Sequence, residues 1–273
     1  MLKNEGDKLR RAVVSSPGHS FFQIDRLDEH NILELANPAK ARLEHDTLKA
    51  TLADSGCSVM DLPELEGHPN SVFTRDTAVV TPFGFIEMRM GLSSRRGEEK
   101  WMGEALTSLG LAPAGIVEDP GTAEGGDVIL AGEVAFIGRS GRTNREGSEQ
   151  LSELLTGMGY EVRIAEIPQP YLHLGGAMSL IGRNNILCVE GTFETNLFRG
   201  YEFSEIPVRE ASSFFAAANV FCLGEMDVIT CRGNTTTNGA LLEHGANIHT
   251  LDLSEFIKGS GGPSCLVMPI ERG

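Results

Sequence analysis

The strongest constraint on what this chain can fold into is a repeat. Glycine-punctuated stretches of similar design recur with a period of roughly 45–50 residues, within the range of modular folds. Each pairs one short β-rich run with a second, and most then continue into a helix-like segment and a closing strand. The first stretch is RRAVVSSPG, followed by ARLEHDTLKATLADSG and CSVMDLP. The second reads DTAVVTPFGFIEM, RRGEEKWMGEALTSLG and GIVED, and the third GGDVILAGEVAFIG, NREGSEQLSELLTGMG and YEVRIAEI. The fourth, GGAMSLIGRNNILCVEG, has a less clear helix; the fifth runs ANVFCLGEMDVITCRG, TTTNGALLEHG and ANIHTLDL. In the helical segments apolar residues recur three and four apart, as in LSELLTGMG, and a glycine follows the last turn. The paired runs read as hairpins joined by short polar or glycine turns.

Five such units leave the run LVMPIE over at the end of the chain. An open solenoid gives that strand no partner, whereas a ring lets it pair with the first unit and removes exposed sheet edges. The expected fold is therefore α/β, a five-bladed αβ propeller with pseudo-fivefold repeated ββα-type modules. No linker or composition break interrupts it, so a single domain over residues 1–273 is expected. In such a ring the loops at one end of each module converge on a central channel, where residues distant in sequence meet.

Charge and composition narrow the function. With 38 acidic and 23 basic residues the net charge is -15, which speaks against a nucleic-acid partner. An acidic protein attracts cations weakly at long range, which suits a guanidinium or ammonium substrate. The cysteines form no CxxC pair and the seven histidines no HxxxH or HxH, so no metal is expected. No apolar run is long enough for a bilayer, and the basic N-terminus lacks an apolar signal core, so neither membrane nor secretion is expected. Five cysteines, odd in number and widely spaced, point to a reducing, cytoplasmic setting.

One of them, Cys265, lies in GSGGPSCLVMP. A free cysteine is commonly a buried core residue. Yet three glycines and a proline ahead of it expose backbone and let a substrate approach a nucleophile. Five other segments carry reactive groups at comparable module positions: PNSVFTRD, SRRGEE, EGGD, GRTN and LHLGG. They supply Asn70 and Asp76, Arg95, Glu124, Arg142 and His173. Taken singly each has a plain reading. Asp76 caps a turn, Arg95 and Arg96 form a solvated pair, His173 is a core histidine, and Glu124 supports its turn.

Taken together, PNSVFTRD, EGGDV, GRTN, LHLGG and SEFIKGSGGPSCL resemble, in order and spacing, the guanidine-modifying enzymes of the pentein superfamily. Bacterial dimethylarginine dimethylaminohydrolases and short arginine deiminases look most similar, and the resemblance spans essentially the whole chain. It implies Cys265 as nucleophile, His173 as general acid and base, and Glu124 as the group orienting the histidine. It further implies that Asp76, with Asn70 nearby, grips the guanidinium, and that Arg95 and Arg142 hold the substrate carboxylate. The implied partner is a small guanidino amino acid, no cofactor is needed, and a homodimer is compatible with the resemblance. The chemistry fits these residue types. A thiolate attacks the protonated guanidinium carbon, the imidazole protonates the departing amine, and water resolves the S-alkylthiouronium.

The sequence departs from both relatives. Arginine deiminases usually carry Asp two residues after the histidine, where this chain has Gly175. Dimethylarginine hydrolases usually have an acidic residue six positions before the Asp matching Asp76; this chain has Asn70, as deiminases and arginine dihydrolases do. The balance favours a methylated or otherwise N-substituted arginine, with arginine deiminase or dihydrolase activity as the alternative. An amidinotransferase, in which an amine resolves the intermediate, stays open, as does a non-catalytic propeller-ring protein. A papain-like protease places its cysteine ahead of its histidine, the reverse of the order here.

Overall fold

The structure, a computed structural model, describes residues 2–194, 196–209 and 217–273. Its strands follow the repeat in chain order. They are β1 (Leu9–Ser15), β2 (Ser58–Leu62), β3 (Ala78–Thr81), β4 (Gly84–Glu87), β5 (Pro113–Ile116), β6 (Val128–Ala131), β7 (Val134–Arg139) and β8 (Glu161–Glu166). Then come β9 (Met178–Leu180), β10 (Asn185–Val189), β11 (Ser204–Val208), β12 (Phe221–Gly224), β13 (Asp227–Cys231), β14 (Asn247–Leu251) and β15 (Met268–Arg272). They form five three-stranded sheets of one design. In each, an antiparallel pair is extended by a parallel outer strand: Ile129 sits opposite Phe136 in β6–β7, and Phe136 opposite Arg163 in β7–β8.

The first sheet closes the ring. Its order is β15–β1–β2, and β15 runs antiparallel to β1 with Met268 opposite Val13. RRAVVSSPG is thus a single strand rather than a hairpin, because the C-terminus supplies the inner strand of this blade. Residues of the inner strands β3, β6, β9 and β12 are buried throughout, whereas the outer strands β2 and β5 are half exposed. Inner strands are covered by neighbouring blades, which explains their near-continuous apolar runs.

Helices cross from middle to outer strand in four modules: Pro38–Asp54, Glu98–Ser108, Arg145–Gly157 and Thr235–Glu243. Asn37 and Asn144 cap two of them, each side chain accepting from the amide three residues on. All four end alike. Gly56, Gly110, Gly159 and Gly245 have φ between 82° and 90°, and the next amide bonds five residues back, as Tyr160 does to Leu155. A side chain is strained in that left-handed turn, so the repeating glycine is a steric requirement. The fourth module differs. Among the described residues its crossover holds turns rather than a helix, with Leu197 and Phe198 packed toward β7 and the Phe198 ring 5.8 Å from Phe136. No helix among the described residues is long and apolar enough to cross a membrane.

Candidate active site

Segments ahead of the inner strands β3, β6, β9 and β15 meet the loops that follow the middle strands β4 and β7. There Asn70, Asp76, Arg95, Arg142, His173 and Cys265 line a single cavity with about 20 Å³ of enclosed space, together with Asn31, Phe73, Leu172 and Gly259–Gly261. Glu124, fully buried, stands behind the histidine.

His173 enters the site just ahead of the short helix Leu174–Ala177. Its backbone is fixed by Asp127, whose Oδ1 accepts from the Leu174 amide at 2.8 Å while Oδ2 accepts from Ser140 and Thr143. The ring Nε2 lies 2.7 Å from Glu124 Oε2, which leaves Nδ1 facing the cavity, 3.9 Å from Asp76 Oδ1. Burial by itself would depress the imidazole, but Asp76, Asp127 and Glu124 outweigh it and carry His173 up to about 9. Burial raises the Asp127 carboxyl to about 6. It also disfavours the Glu124 anion, yet the His173 hydrogen bond, Arg95 and Arg142 hold that carboxyl well below its ordinary range. The two glycines of EGGD make the approach possible. A Cβ at Gly126 would lie 2.7 Å from Asp76 Oδ1 and 2.9 Å from the His173 ring.

Cys265 sits in the tight turn Pro263–Leu266 that leads into β15. It is half-buried, whereas Cys57, Cys188, Cys222 and Cys231 are buried. Asn219 Nδ2 donates to its sulfur at 3.2 Å, and Asn219 Oδ1 accepts from both the amide and the hydroxyl of Ser264. The glycines ahead of it serve close packing: a Cβ at Gly261 would fall 2.1 Å from the Phe73 ring, and one at Gly262 would fall 2.6 Å from Asn219. Burial, followed by the nearby Asp76 charge, pushes the thiol above its ordinary value. Both effects favour the protonated thiol over the thiolate.

Arg95 differs from the expectation placed on it. Its guanidinium bonds Asp76 at 2.7 Å, Glu98 at 2.9 Å and the Asn70 and Phe73 carbonyls, with Glu124 3.7 Å away. All three of its nitrogens thus meet protein acceptors. Among the described residues the Arg142 guanidinium has one longer contact, 3.4 Å to Glu124. Asp76, Glu124 and His173 bring three donor atoms within 4.8 Å of one another, but the Arg95 cation already bonds one carboxylate and flanks the other.

Asn70 also differs. Its amide nitrogen donates to the His30 carbonyl at 2.9 Å, which leaves its carbonyl oxygen buried without a partner. Asp76 Oδ1 is likewise buried and accepts no hydrogen bond. Two residues that line the cavity with the thiol therefore each hold a buried acceptor without a hydrogen bond, an arrangement that costs stability until a donor arrives. Asn219, Asp127 and Glu98 were not singled out by motif. Alignment of the modules is the signal that finds Asn219: like Asp76, it lies two residues ahead of an inner strand.

Comparison with known proteins identifies the family. Residues 22–272 match the family model described as N,N dimethylarginine dimethylhydrolase, eukaryotic. The chain belongs to this family. Dimethylarginine dimethylaminohydrolases are guanidino-modifying hydrolases of the pentein superfamily, related to arginine deiminases. The chain is 31% identical to the N(G),N(G)-dimethylarginine dimethylaminohydrolase of Pseudomonas aeruginosa, over 84% of this chain and 87% of that one. It is 36% identical to an uncharacterized protein of Aeropyrum pernix, over 85% and 84%. The Pseudomonas aeruginosa dimethylarginine dimethylaminohydrolase, solved as a cysteine-to-serine mutant complexed with citrulline, superposes with a TM-score of 0.82. That superposition covers 96% of this chain and 99% of that one at 26% identity.

Proposed function

We propose that the protein is a cysteine-dependent amidinohydrolase that converts dimethylarginine to citrulline and dimethylamine. The observation that carries this reading is the pair of buried acceptors without a hydrogen bond, Asn70 Oδ1 and Asp76 Oδ1, from residues that line one cavity with Cys265 and His173. A guanidinium supplies N–H donors for both and a carbon electrophilic enough for sulfur. Because the Asn70 amide nitrogen is already engaged, the residue offers the ligand an acceptor, which favours a cation over a neutral ureido group.

The substrate cation lowers the thiol pKa on arrival, so the thiol gives its proton to solution and takes one back when the product leaves. Sγ adds to the guanidinium carbon, and the His173 imidazolium gives its proton to the departing amine as the C–N bond breaks. This leaves an S-alkylthiouronium on Cys265 and a neutral imidazole. Water then adds with His173 as base and the C–S bond breaks. One proton returns to the imidazole and one leaves to solution, where the free amine takes it up. Glu124 holds the ring in place and stabilises its charged form, as a carboxylate does for the base of a hydrolytic triad. Arg142 takes the substrate carboxylate, since Arg95 is committed to Asp76 and Glu98. The five free thiols fit a reducing, cytoplasmic setting.

Gly175 supports an N-substituted substrate. A Cβ there would lie 3.2 Å from the Gly126 carbonyl oxygen and 3.9 Å from Ser264 Oγ, and Gly175 lines a cavity with Cys265, so an Asp would add a carboxylate to that wall. Without it the site offers fewer acceptors, which suits a guanidinium whose methyl groups have replaced N–H donors. We expect a higher kcat/KM for dimethylarginine than for arginine under identical conditions. A tenfold preference for arginine, about 1.4 kcal/mol in the transition state, would reverse that choice and leave an arginine deiminase or dihydrolase.

The pH profile follows from the same groups. Turnover needs Cys265 deprotonated and His173 protonated. The thiol lies above its ordinary value and the imidazole near 9, so kcat/KM should climb through neutral pH to a maximum on the alkaline side of pH 9, between the two, and fall only beyond the thiol's own range. A profile that levels off near the ordinary histidine value, about 6.5, would contradict these assignments.

A further inference from the structure

Asn219 reaches the reacting atom directly, its Nδ2 lying 3.2 Å from Cys265 Sγ. Ser264 decides which end of the amide faces the sulfur. Asn219 Oδ1 lies 3.1 Å from the Ser264 amide nitrogen and 2.9 Å from its hydroxyl. A backbone N–H can only donate, so the atom facing it is the oxygen, and the amino group is left for the sulfur. Gly262 permits the approach, since a Cβ there would fall 2.6 Å from Oδ1.

The backbone beneath Asn219 is pinned from several sides. The Ala217 carbonyl accepts from Asn234 and Thr237 at 3.0 and 2.7 Å. The Ala218 amide donates to the Gly176 carbonyl, and the Ala218 carbonyl accepts from Ser179. The residue is 5% exposed, so water competes little for its N–H. The charged and titratable groups around the sulfur come from other elements. Asp76, Arg95, Arg142 and His173 line one cavity with it, Glu5, Arg75, Cys222 and Arg272 a second, and Cys231 of β13 packs in its apolar cluster. Asp76 works against a thiolate, whereas an N–H donor favours the anion it bonds. Such charge-assisted bonds are roughly twice as strong as neutral ones.

We propose that Asn219 is a further catalytic residue, the fixed donor that stabilises the Cys265 thiolate at both ends of the reaction. Before attack its N–H favours loss of the thiol proton to solution. When water resolves the intermediate, the C–S electron pair returns to sulfur, and the same N–H receives the departing thiolate. The inference rests on Cys265 being the nucleophile of the amidinohydrolase reading.

The test is the pH dependence of Cys265 alkylation by iodoacetamide in the substrate-free protein, read by peptide mass spectrometry. It is run on the wild type, Asn219→Ala and Asn219→Asp. Loss of one donor to an anion should raise the midpoint of the rate profile by about one pH unit in the alanine variant. A thiolate of higher pKa is also the better nucleophile, with a Brønsted slope of about 0.4–0.5. The alanine variant should therefore react about fourfold more slowly at pH 7 and overtake the wild type at the alkaline limit. Asn219→Asp keeps the shape but sets an anion against the sulfur, so its midpoint should lie higher still. Loosening of the turn alone would speed alkylation at every pH and leave the midpoint in place. An unmoved midpoint in either variant, folded by circular dichroism, would overturn the proposal.

Should neither variant fold, the wild type decides. In ¹⁵N-labelled protein an asparagine side-chain amide signal that shifts on alkylation of Cys265 should titrate with the alkylation midpoint; the absence of any such signal would overturn the proposal. Alkylation needs no substrate, which separates the two claims. An unmoved midpoint beside normal wild-type citrulline formation overturns this proposal alone. A raised midpoint in a protein that forms no citrulline upholds the donor and overturns the reading beneath it.

Discussion

Cys265→Ser is expected to lower citrulline formation by about four orders of magnitude or more, the scale seen when other covalent nucleophiles are removed. Serine is nearly isosteric, so the turn Pro263–Leu266 and the packing of Gly261 on Phe73 stay as they are. The hydroxyl still accepts from Asn219, as the sulfur does at 3.2 Å. Stability should therefore change by no more than about 0.5 kcal/mol, as for substitutions that break no packing or network. The chemistry has no such tolerance. A bound guanidinium lowers a thiol far enough to give thiolate near neutral pH, but an alcohol starts several units too high. A serine variant that kept a tenth of the wild-type rate would make Cys265 a structural residue.

His173→Ala should cost roughly 10³–10⁴ in kcat, near the upper end for a general acid or base, because both proton transfers depend on one ring. Nothing nearby replaces it. Asp76 is held by Arg95 at 2.7 Å, and Glu124 is buried behind the ring with Arg95, Arg142 and the Gly91 amide as its remaining partners. The variant should also free Glu124 of its 2.7 Å bond and leave a buried anion less well paired, so some loss of thermal stability is expected. Single-turnover kinetics give the useful distinction. Loss of the acid stalls amine departure, whereas loss of the base lets the thiouronium accumulate on Cys265. Wild-type turnover in this variant would remove His173 from the mechanism.

Much of this site was legible in the sequence because the fold repeats. Local chemistry fixes the module: the glycines that end the helices must adopt positive φ, and Asn37 and Asn144 cap as their positions require. Ring closure followed from one unpaired run, LVMPIE, and β15 pairs with β1 accordingly. What the sequence hid was tertiary. Arg95 reads like a substrate clamp, yet its guanidinium lies among Asp76, Glu98 and Glu124, and only packing decides which carboxylates reach it. Asn70 has two faces, and its His30 contact, between residues forty positions apart, determines which one the cavity sees. Asn219 belongs to no motif and acquires meaning only when the start of β12 is set beside the start of β3. The weak fourth helix was a true signal, since turns replace it among the described residues.

The central claim is that a guanidinium carbon is transferred to Cys265 and then to water. Rapid quench of the wild-type protein during turnover of dimethylarginine in ¹⁸O-water, followed by peptide mass spectrometry, tests it most directly. The account predicts a Cys265 peptide carrying the substrate less its dimethylamine, formed and consumed at rates compatible with kcat, and citrulline whose ureido oxygen is ¹⁸O. Citrulline released while every Cys265 peptide stays unmodified, or an adduct confined to another cysteine, would contradict it.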